Sequence, residues 1–397
     1  MKLKSLLLGT AAAVAVTGGA QAADLALAVE PIDYVKVCDA FGTGYYYIPG
    51  TDVCLKIGGK IQLDMWFYDD DDVGNYFNFA NWAEGYDPDS GDAFESLDSP
   101  EVAEDVWVKD FYRASWEFKS EAAVNFTAKS MSDLGPIVTH FAFTTKSDNN
   151  DFDGSTKTVR FDGGYGQIGP VMFGWTDSLF DPGGGYTYDG SIRSDKKVDQ
   201  ARLSYMMGTW GIMLGLEDPR DRYAGPKNAT GDYPDIVLAL TGGVAGFDVK
   251  AAAAITDRTN DTGWGVNLTA EADFGGFQLK ATGAYSDNAK SFTGGSNCST
   301  TLDTTTVPPS LSTCDDGEWW SAFISASAML SGNLKTAATA SYQDKADGKG
   351  KYGVFEGAIG LYYYPSGNSE IGAELLYKDP EGSDDSLAGH VRWKTEF

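Results

Sequence analysis

Apolar and polar residues alternate along most of this chain. Leu55, Ile57, Ile61, Leu63 and Met65 are interleaved with Lys56, Gly58, Lys60, Gln62 and Asp64. Phe247, Val249, Ala251, Ala253 and Ile255 alternate with Asp248, Lys250 and smaller residues, and Phe277, Leu279, Ala281 and Tyr285 with Gln278, Lys280 and Thr282. Successive side chains of a strand point to opposite sides, so alternation of this length marks strands with one apolar and one polar face. The pattern predicts about sixteen strands, near 54–68, 118–131, 136–147, 156–168, 170–180, 197–208, 210–218, 233–243, 246–257, 262–273, 276–287, 318–330, 333–344, 351–364, 369–379 and 386–397.

The connections between these strands also alternate. Short ones, such as 132–135, 208–211, 273–276, 331–333 and 365–368, carry the Gly, Asn, Asp and Pro that tight turns require. Long polar ones fall around 69–105, 148–155, 176–196, 219–232, 288–317, 345–350 and 380–385. Short turns at one end and long loops at the other are the asymmetry of an outer-membrane barrel. A soluble sandwich would bury its alternating face in a dry core. Here one face holds Ala, Leu, Val and aromatics, and the other Lys, Arg, Gln, Asp and Thr. In a closed barrel of this size the lumen is aqueous, so a polar inner face needs no desolvation, and closure leaves no unpaired strand edge in lipid. The expected fold class is therefore all-β: a closed antiparallel transmembrane β-barrel of about 16 strands.

Composition narrows the function. Thirty basic residues against 57 acidic give a net charge of −27, which excludes a general nucleic-acid binder. Two histidines exclude most His-rich metal sites, and 13% aromatics argues against disorder. Of the two, His140 and His390 fall on strands and point to the lumen by alternation. No G-x-S-x-G elbow, P-loop or dinucleotide fingerprint is present, so the chain does not read as an enzyme.

Residues 1–22 read as a signal peptide: Lys2 and Lys4, an apolar run from Leu6 to Val16, then Ala20-Gln21-Ala22 as the cleavage site. Residues 23–53 are expected to form a periplasmic N-terminal segment and residues 54–397 the barrel. The implied location is the bacterial outer membrane, reached through the periplasm. The chain ends in Val391-Arg392-Trp393-Lys394-Thr395-Glu396-Phe397, an alternating strand closed by an aromatic. It resembles the C-terminal strand by which outer-membrane barrels are recognised, which makes Phe397 the candidate assembly signal and the barrel assembly machinery a partner.

Four cysteines allow three pairings. The local pairs Cys38–Cys54 and Cys298–Cys314 are favoured in an oxidising compartment, each contributing about 3 kcal/mol by the chain-entropy account. A four-thiolate zinc site is the alternative, without CxxC spacing to support it.

The run from Asp33 to Gly59, including Asp33-Tyr34-Val35-Lys36-Val37-Cys38 and Tyr45-Tyr46-Tyr47-Ile48-Pro49-Gly50, resembles the N-terminal signature of the general porins of alphaproteobacterial outer membranes. Phe173-Gly174-Trp175-Thr176-Asp177-Ser178-Leu179-Phe180-Asp181 resembles the stretch leading into that family's third loop. The resemblance implies a trimer of 16-stranded barrels that passes small hydrophilic solutes by diffusion, with a third loop folded into each lumen. It leaves a substrate-selective channel, for sugars or another small solute, and a mainly structural or adhesive barrel as alternatives.

On that alignment the third loop spans about 176–196 and places Asp177, Asp181, Asp189, Arg193 and Asp195 at a pore constriction, with Lys196 beside them. Alternation supplies the pore wall: Lys56, Lys60, Lys129, Arg160, Arg202, Lys250, Lys280, Arg392 and Lys394. Acids on the loop facing bases on the wall would set a transverse field across the narrowest point. Two stretches depart from the family pattern. The 288–317 loop carries its own cysteines, and the 69–105 loop holds 13 acidic and no basic residues. That acidic loop reads as a solvated, self-repelling loop, or else as a cation-attracting vestibule or a divalent bridge to lipopolysaccharide; Ca2+ would suit its oxygen ligands, although it lacks EF-hand spacing. No cofactor is expected otherwise.

Overall fold

The computed structural model describes residues 36–69, 116–147, 159–222, 232–257, 262–294, 301–303, 310–312, 317–346, 353–382 and 384–397. Sixteen long strands form one antiparallel sheet. They are β1 Cys54–Tyr68, β2 Trp116–Ser132, β3 Gly135–Ser147, β4 Val159–Ile168, β5 Val171–Asp177, β6 Lys197–Met207, β7 Trp210–Glu217 and β8 Asp235–Val244. The second half comprises β9 Phe247–Asp257, β10 Thr262–Asp273, β11 Phe277–Asp287, β12 Glu318–Ser331, β13 Leu334–Lys345, β14 Val354–Ser366, β15 Ser369–Pro380 and β16 Ser386–Glu396. Each strand pairs with the next, and β16 pairs with β1 from Ala388↔Tyr68 to Glu396↔Lys60, so the sheet closes on itself. A separate two-stranded ribbon pairs Thr301–Asp303 with Ser310–Ser312. No described helix is long and apolar enough to cross a membrane; the crossing is made by strands.

The outer surface follows from the alternation. Ile57, Ile61 and Leu63 on β1, Ile236, Leu238 and Leu240 on β8, and Leu375 on β15 are exposed, while their neighbours Gln62, Asp64, Val237, Ala239 and Glu374 are buried. Exposed apolar residues at every second position are stable against lipid or a partner barrel, not against water. Aromatic residues collect at both ends of this band. Trp210, Phe247, Phe277, Tyr363 and Trp393 lie near the short turns, and Trp116, Trp264, Trp320 and Tyr377 near the long connections.

Seven hairpins are tight. Between β8 and β9 the turn residues Ala245 and Gly246 both have positive φ, 52° and 86°. Consecutive left-handed residues match the right-handed twist of the flanking strands. The expected turn at Gly169-Pro170 also forms, with Gly169 at φ 54°.

One strand is shorter than its pattern. Alternation predicts a strand over 170–180, but β5 stops at Asp177. Beyond it the chain turns: the Asp181 N–H bonds the Ser178 carbonyl at 3.1 Å, and the Ser178 hydroxyl bonds Glu217 at 2.7 Å. Asp177 is thus the last residue of a strand, paired with Lys197, and not part of the third loop as expected.

Cys38 and Cys54 form a disulfide at the start of β1. It holds the preceding segment against the barrel end: Tyr46 and Tyr47 pair with Leu55 and Cys54. Tyr45 is buried beneath Lys56 and Lys129, whose amines lie 6.0 and 4.9 Å from its ring centroid. Cys298 and Cys314 lie outside the described residues, as does the acidic loop beyond Asp69.

Candidate functional site

The segment between β5 and β6, residues 178–196, touches the inward face of the barrel from β7 to β16. Its neck is held by a buried ionic cluster. Arg222 donates to Glu217 at 2.6 Å, to Asp235 at 3.2 Å, to Ser178 at 2.8 Å and to Ser194 at 3.1 Å. The side chains of Arg222, Glu217 and Asp235 are all fully buried. A buried guanidinium needs this number of acceptors to offset its lost hydration.

Beyond the neck, Leu179 and Phe180 pack against Val237, Ala239, Ala252, Ala254 and Phe292. This explains why β8 and β9 are apolar on both faces: their inner face is covered. Gly215 opposite lets Leu179 approach closely: a Cβ there would lie 3.0 Å from Leu179 Cδ1. Asn267 donates to the Phe180 carbonyl and Lys250 to the Asp181 carbonyl.

The segment then runs along β12 to β16. The Tyr186 N–H bonds Ser325 at 2.8 Å and its hydroxyl bonds Glu271 at 2.9 Å. Thr187 bonds Thr339 at 2.5 Å. The Tyr188 N–H bonds Glu374 at 2.6 Å and its hydroxyl bonds Glu370 at 2.6 Å. Ser341 donates to the Gly190 carbonyl at 2.8 Å. Small residues on both sides make this approach feasible: a Cβ at Gly372 on the wall would collide with the Tyr188 hydroxyl, and one at Gly190 on the segment would lie 2.9 Å from Ala358.

The rest of the inner wall, across β1 to β4, carries a ladder of charges. Glu121 bridges Lys60 at 2.8 Å and Lys146 at 3.1 Å, and Lys119 pairs with Glu117 at 3.1 Å. His140 hydrogen-bonds Thr127 at 2.9 Å and faces Tyr165. The open part of the lumen lies between this ladder and the segment 178–196.

The expected site residues distribute unevenly over this geometry. Asp181, Asp189, Arg193 and Asp195 lie on the segment. Arg193 pairs with Asp195 at 2.7 Å and approaches Asp181 at 3.6 Å, so part of the loop's charge is met within the loop. Burial pushes the Asp181 carboxyl up, against the lowering by the Gly183 N–H and Arg193. Burial, then the bonds to Glu271 and Glu370, push the Tyr186 and Tyr188 hydroxyls up, so both act as donors. On the wall, Lys250 meets the Asp181 carbonyl, Lys280 lies beside Gly183, and Arg392 stacks 4.0 Å from the Tyr188 ring centroid while bonding Asp64 at 2.6 Å. Arg202 reaches the Asp177 carbonyl at 2.8 Å.

The remaining expected wall bases sit elsewhere. Lys56 and Lys129 are at the N-terminal segment, and Lys394 pairs with Glu396 at the end of β16. Arg160 is exposed opposite Thr144 near the long-loop end of β4. Beside the bases of the wall, Glu271, Glu370 and Glu374 also face the segment, where Tyr186 and Tyr188 supply donors to them. The neck cluster and these tyrosine–glutamate pairs escaped the sequence reading. The doubly apolar run Ile236–Leu240 was the available sign that something covers the inner face of β8.

A Porin subfamily model matches residues 24–394. Porin Omp2b of Brucella melitensis is 29% identical over 73% of this chain and 75% of its own. The outer membrane protein y4fJ of Sinorhizobium fredii is 34% identical over 185 residues, so the chain spans about half the length of that relative. Among solved structures, OmpF of Salmonella typhi has a TM-score of 0.56 at 11% identity, covering 87% of this chain and 98% of that one. OmpT of Vibrio cholerae, in a trimer form, has a TM-score of 0.53 at 9% identity, covering 87% and 100%. These distant structures share the fold. The family match extends over nearly the whole closed barrel, and the chain accordingly belongs to the porin subfamily, as a bacterial outer-membrane protein.

Proposed function

We propose that the chain forms a water-filled channel through which small hydrophilic solutes and ions diffuse passively, narrowed by residues 178–196. The observation that carries this reading is the division of the lumen: the segment lies against β7 to β16, while the facing wall of β1 to β4 is polar and charged. A passage bounded by ion-paired side chains offers hydrophilic solutes replacement hydrogen bonds without a deep binding site.

On this reading Asp181, Arg193 and Asp195, with Arg202 and Arg392, bias ion choice at the narrowing. Lys60 and Lys146 act on the opposite rim through Glu121. Lys56, Lys129 and Lys394 belong to the periplasmic mouth. Residues 1–22 serve as the export signal, and Phe397 as the mark read by the assembly machinery. The family relationship and the trimeric OmpT support a homotrimer in lipid and lipopolysaccharide, running as a heat-sensitive oligomer on a gel. The reading is that of a channel and not an enzyme, with no cofactor needed for conduction.

Planar-bilayer recording tests it. A diffusion channel gives current linear in voltage and salt, without saturation by sugars. Saturable block by one solute favours the selective channel, and an absence of conductance favours the structural barrel.

A further inference from the structure

Three side chains converge where the tip of the lumen segment meets the wall, Asp189, Glu374 from β15 and His390 from β16, with one donor atom of each within 4.8 Å of the others. Asp189 Oδ2, Glu374 Oε2 and His390 Nδ1 are their uncommitted atoms. All three are buried, and apart from the 3.3 Å approach of Asp189 Oδ2 to His390 Nδ1 none has a hydrogen-bond partner among the described residues. His390 is 1% exposed and Glu374 4%, so water does not stand in freely for the missing partners.

The other polar atoms of these groups are committed. His390 Nε2 lies 2.9 Å from Asp64 Oδ1, and its ring stacks on Trp66 with centroids 3.9 Å apart. Glu374 Oε1 accepts the Tyr188 N–H and the Tyr362 hydroxyl. A carboxylate on one ring nitrogen fixes the tautomer and turns the second nitrogen outward as a lone-pair donor, the arrangement that orients histidine ligands in metal sites. His390 Nδ1 and Asp189 Oδ2 are 3.3 Å apart. Two ligands at about 2.0–2.1 Å from a tetrahedral ion are separated by roughly that edge.

We propose that Asp189, Glu374 and His390 form a binding site for a divalent transition-metal ion of the zinc class, which fastens the tip of the lumen segment to β15 and β16. Two carboxylates offset the ion's charge. One imidazole nitrogen among the donors favours zinc over calcium, which prefers an all-oxygen shell. Asp189, with its side chain 37% exposed, gives the ion its way in from the lumen and leaves room for water in the remaining position. A doubly protonated His390 shared between Asp64 and Asp189 is the competing arrangement, and it leaves Glu374 Oε2 unmatched. Ion binding is independent of the diffusion-channel reading, since it is measured without conductance.

The test uses the folded full-length protein, stripped with a chelator and titrated with zinc against a chromophoric chelator at neutral pH. Excess calcium is present to fill all-oxygen sites in the acidic loops. The expected result is one zinc per chain, with affinity falling at least tenfold in Asp189→Asn and in His390→Gln, and about tenfold in Asp64→Asn. Heat-modifiable gel migration confirms that each variant is folded; Asp189→Asn, on the partly exposed segment, carries the test if His390→Gln fails to fold. Absence of stoichiometric zinc binding, or binding unchanged in Asp189→Asn, overturns the proposal.

Discussion

The ring of Phe397 lies over the backbone of Gly59, and the two residues exchange hydrogen bonds, Gly59 N–H to Phe397 O at 3.2 Å and Phe397 N–H to Gly59 O at 3.1 Å. The last residue of the chain is thereby seated on the first long strand, at the seam that closes the barrel. A Cβ at Gly59 would lie 2.5 Å from Phe397 Cζ and 2.7 Å from the Ala123 carbonyl oxygen. Overpacking of this kind costs about 1–3 kcal/mol. Gly59→Ala is expected to lower the urea midpoint of the folded barrel, read as the fraction of heat-modifiable protein on a gel. An unchanged midpoint would remove the ring from the seam.

The neck of the lumen segment depends on Arg222. Removing one partner of a buried ion pair costs about 3–5 kcal/mol, because the other charge is stranded. Arg222→Ala leaves Glu217 and Asp235 without their cation. The expected outcome is a destabilised barrel whose open-channel current is noisier, as the segment loses its anchor. Glu217→Gln with Arg222→Met, which removes both charges of that pair, should be milder than Arg222→Ala alone. Equal damage from both would show that the charges themselves are not what holds the neck.

Close packing of the segment against the wall predicts a steric effect. Gly372 faces the Tyr188 hydroxyl with no room for a Cβ. Gly372→Leu should push Tyr188 off β15, break its bond to Glu370 and move the segment toward β1 to β4. Single-channel conductance is expected to change by a measurable fraction while the protein stays folded. Conductance equal to that of the parent would place the narrowing elsewhere.

Asp181 gives a pH dependence with a defined sign. Its folded pKa is raised by burial, so the neutral acid is favoured in the native state. Its contribution to stability is therefore full below the unfolded value of about 3.9 and lost as pH rises through the raised folded value. For conduction, the segment loses a negative charge as pH falls, and does so at a higher pH than an unperturbed aspartate would. The reversal potential in a salt gradient should shift toward anions in that window. Asp181→Asn should flatten this step; a step of the same size in the variant would assign it to another carboxyl.

The barrel was legible because its period is a direct imprint of lipid outside and water inside. Sixteen strands, short turns on one side and the Cys38–Cys54 pairing all follow from residue pattern and spacing. The inside of the lumen was harder to read. Alternation says that Lys56, Lys129, Lys250 and Lys280 face inward, but not at what height, and height separates the Tyr45 contact from the Asp181 contact. The neck cluster joins Ser178, Ser194, Glu217, Arg222 and Asp235, which are scattered in sequence and meet only when β5 to β8 are aligned. Asp189 and Glu374 come near His390 for the same reason: the segment crosses the lumen and brings distant positions together.

Liposome swelling with sugars of graded size tests the central claim most directly. The protein is compared with a variant in which residues 183–193 are replaced by a short Gly-Ser turn, leaving the Ser178 neck intact. The parent is expected to swell liposomes at rates that fall steeply with solute size, and the variant to admit larger sugars with a shallower fall. Identical size profiles for the two folded proteins, or no swelling with either, would contradict a diffusion channel narrowed by this segment.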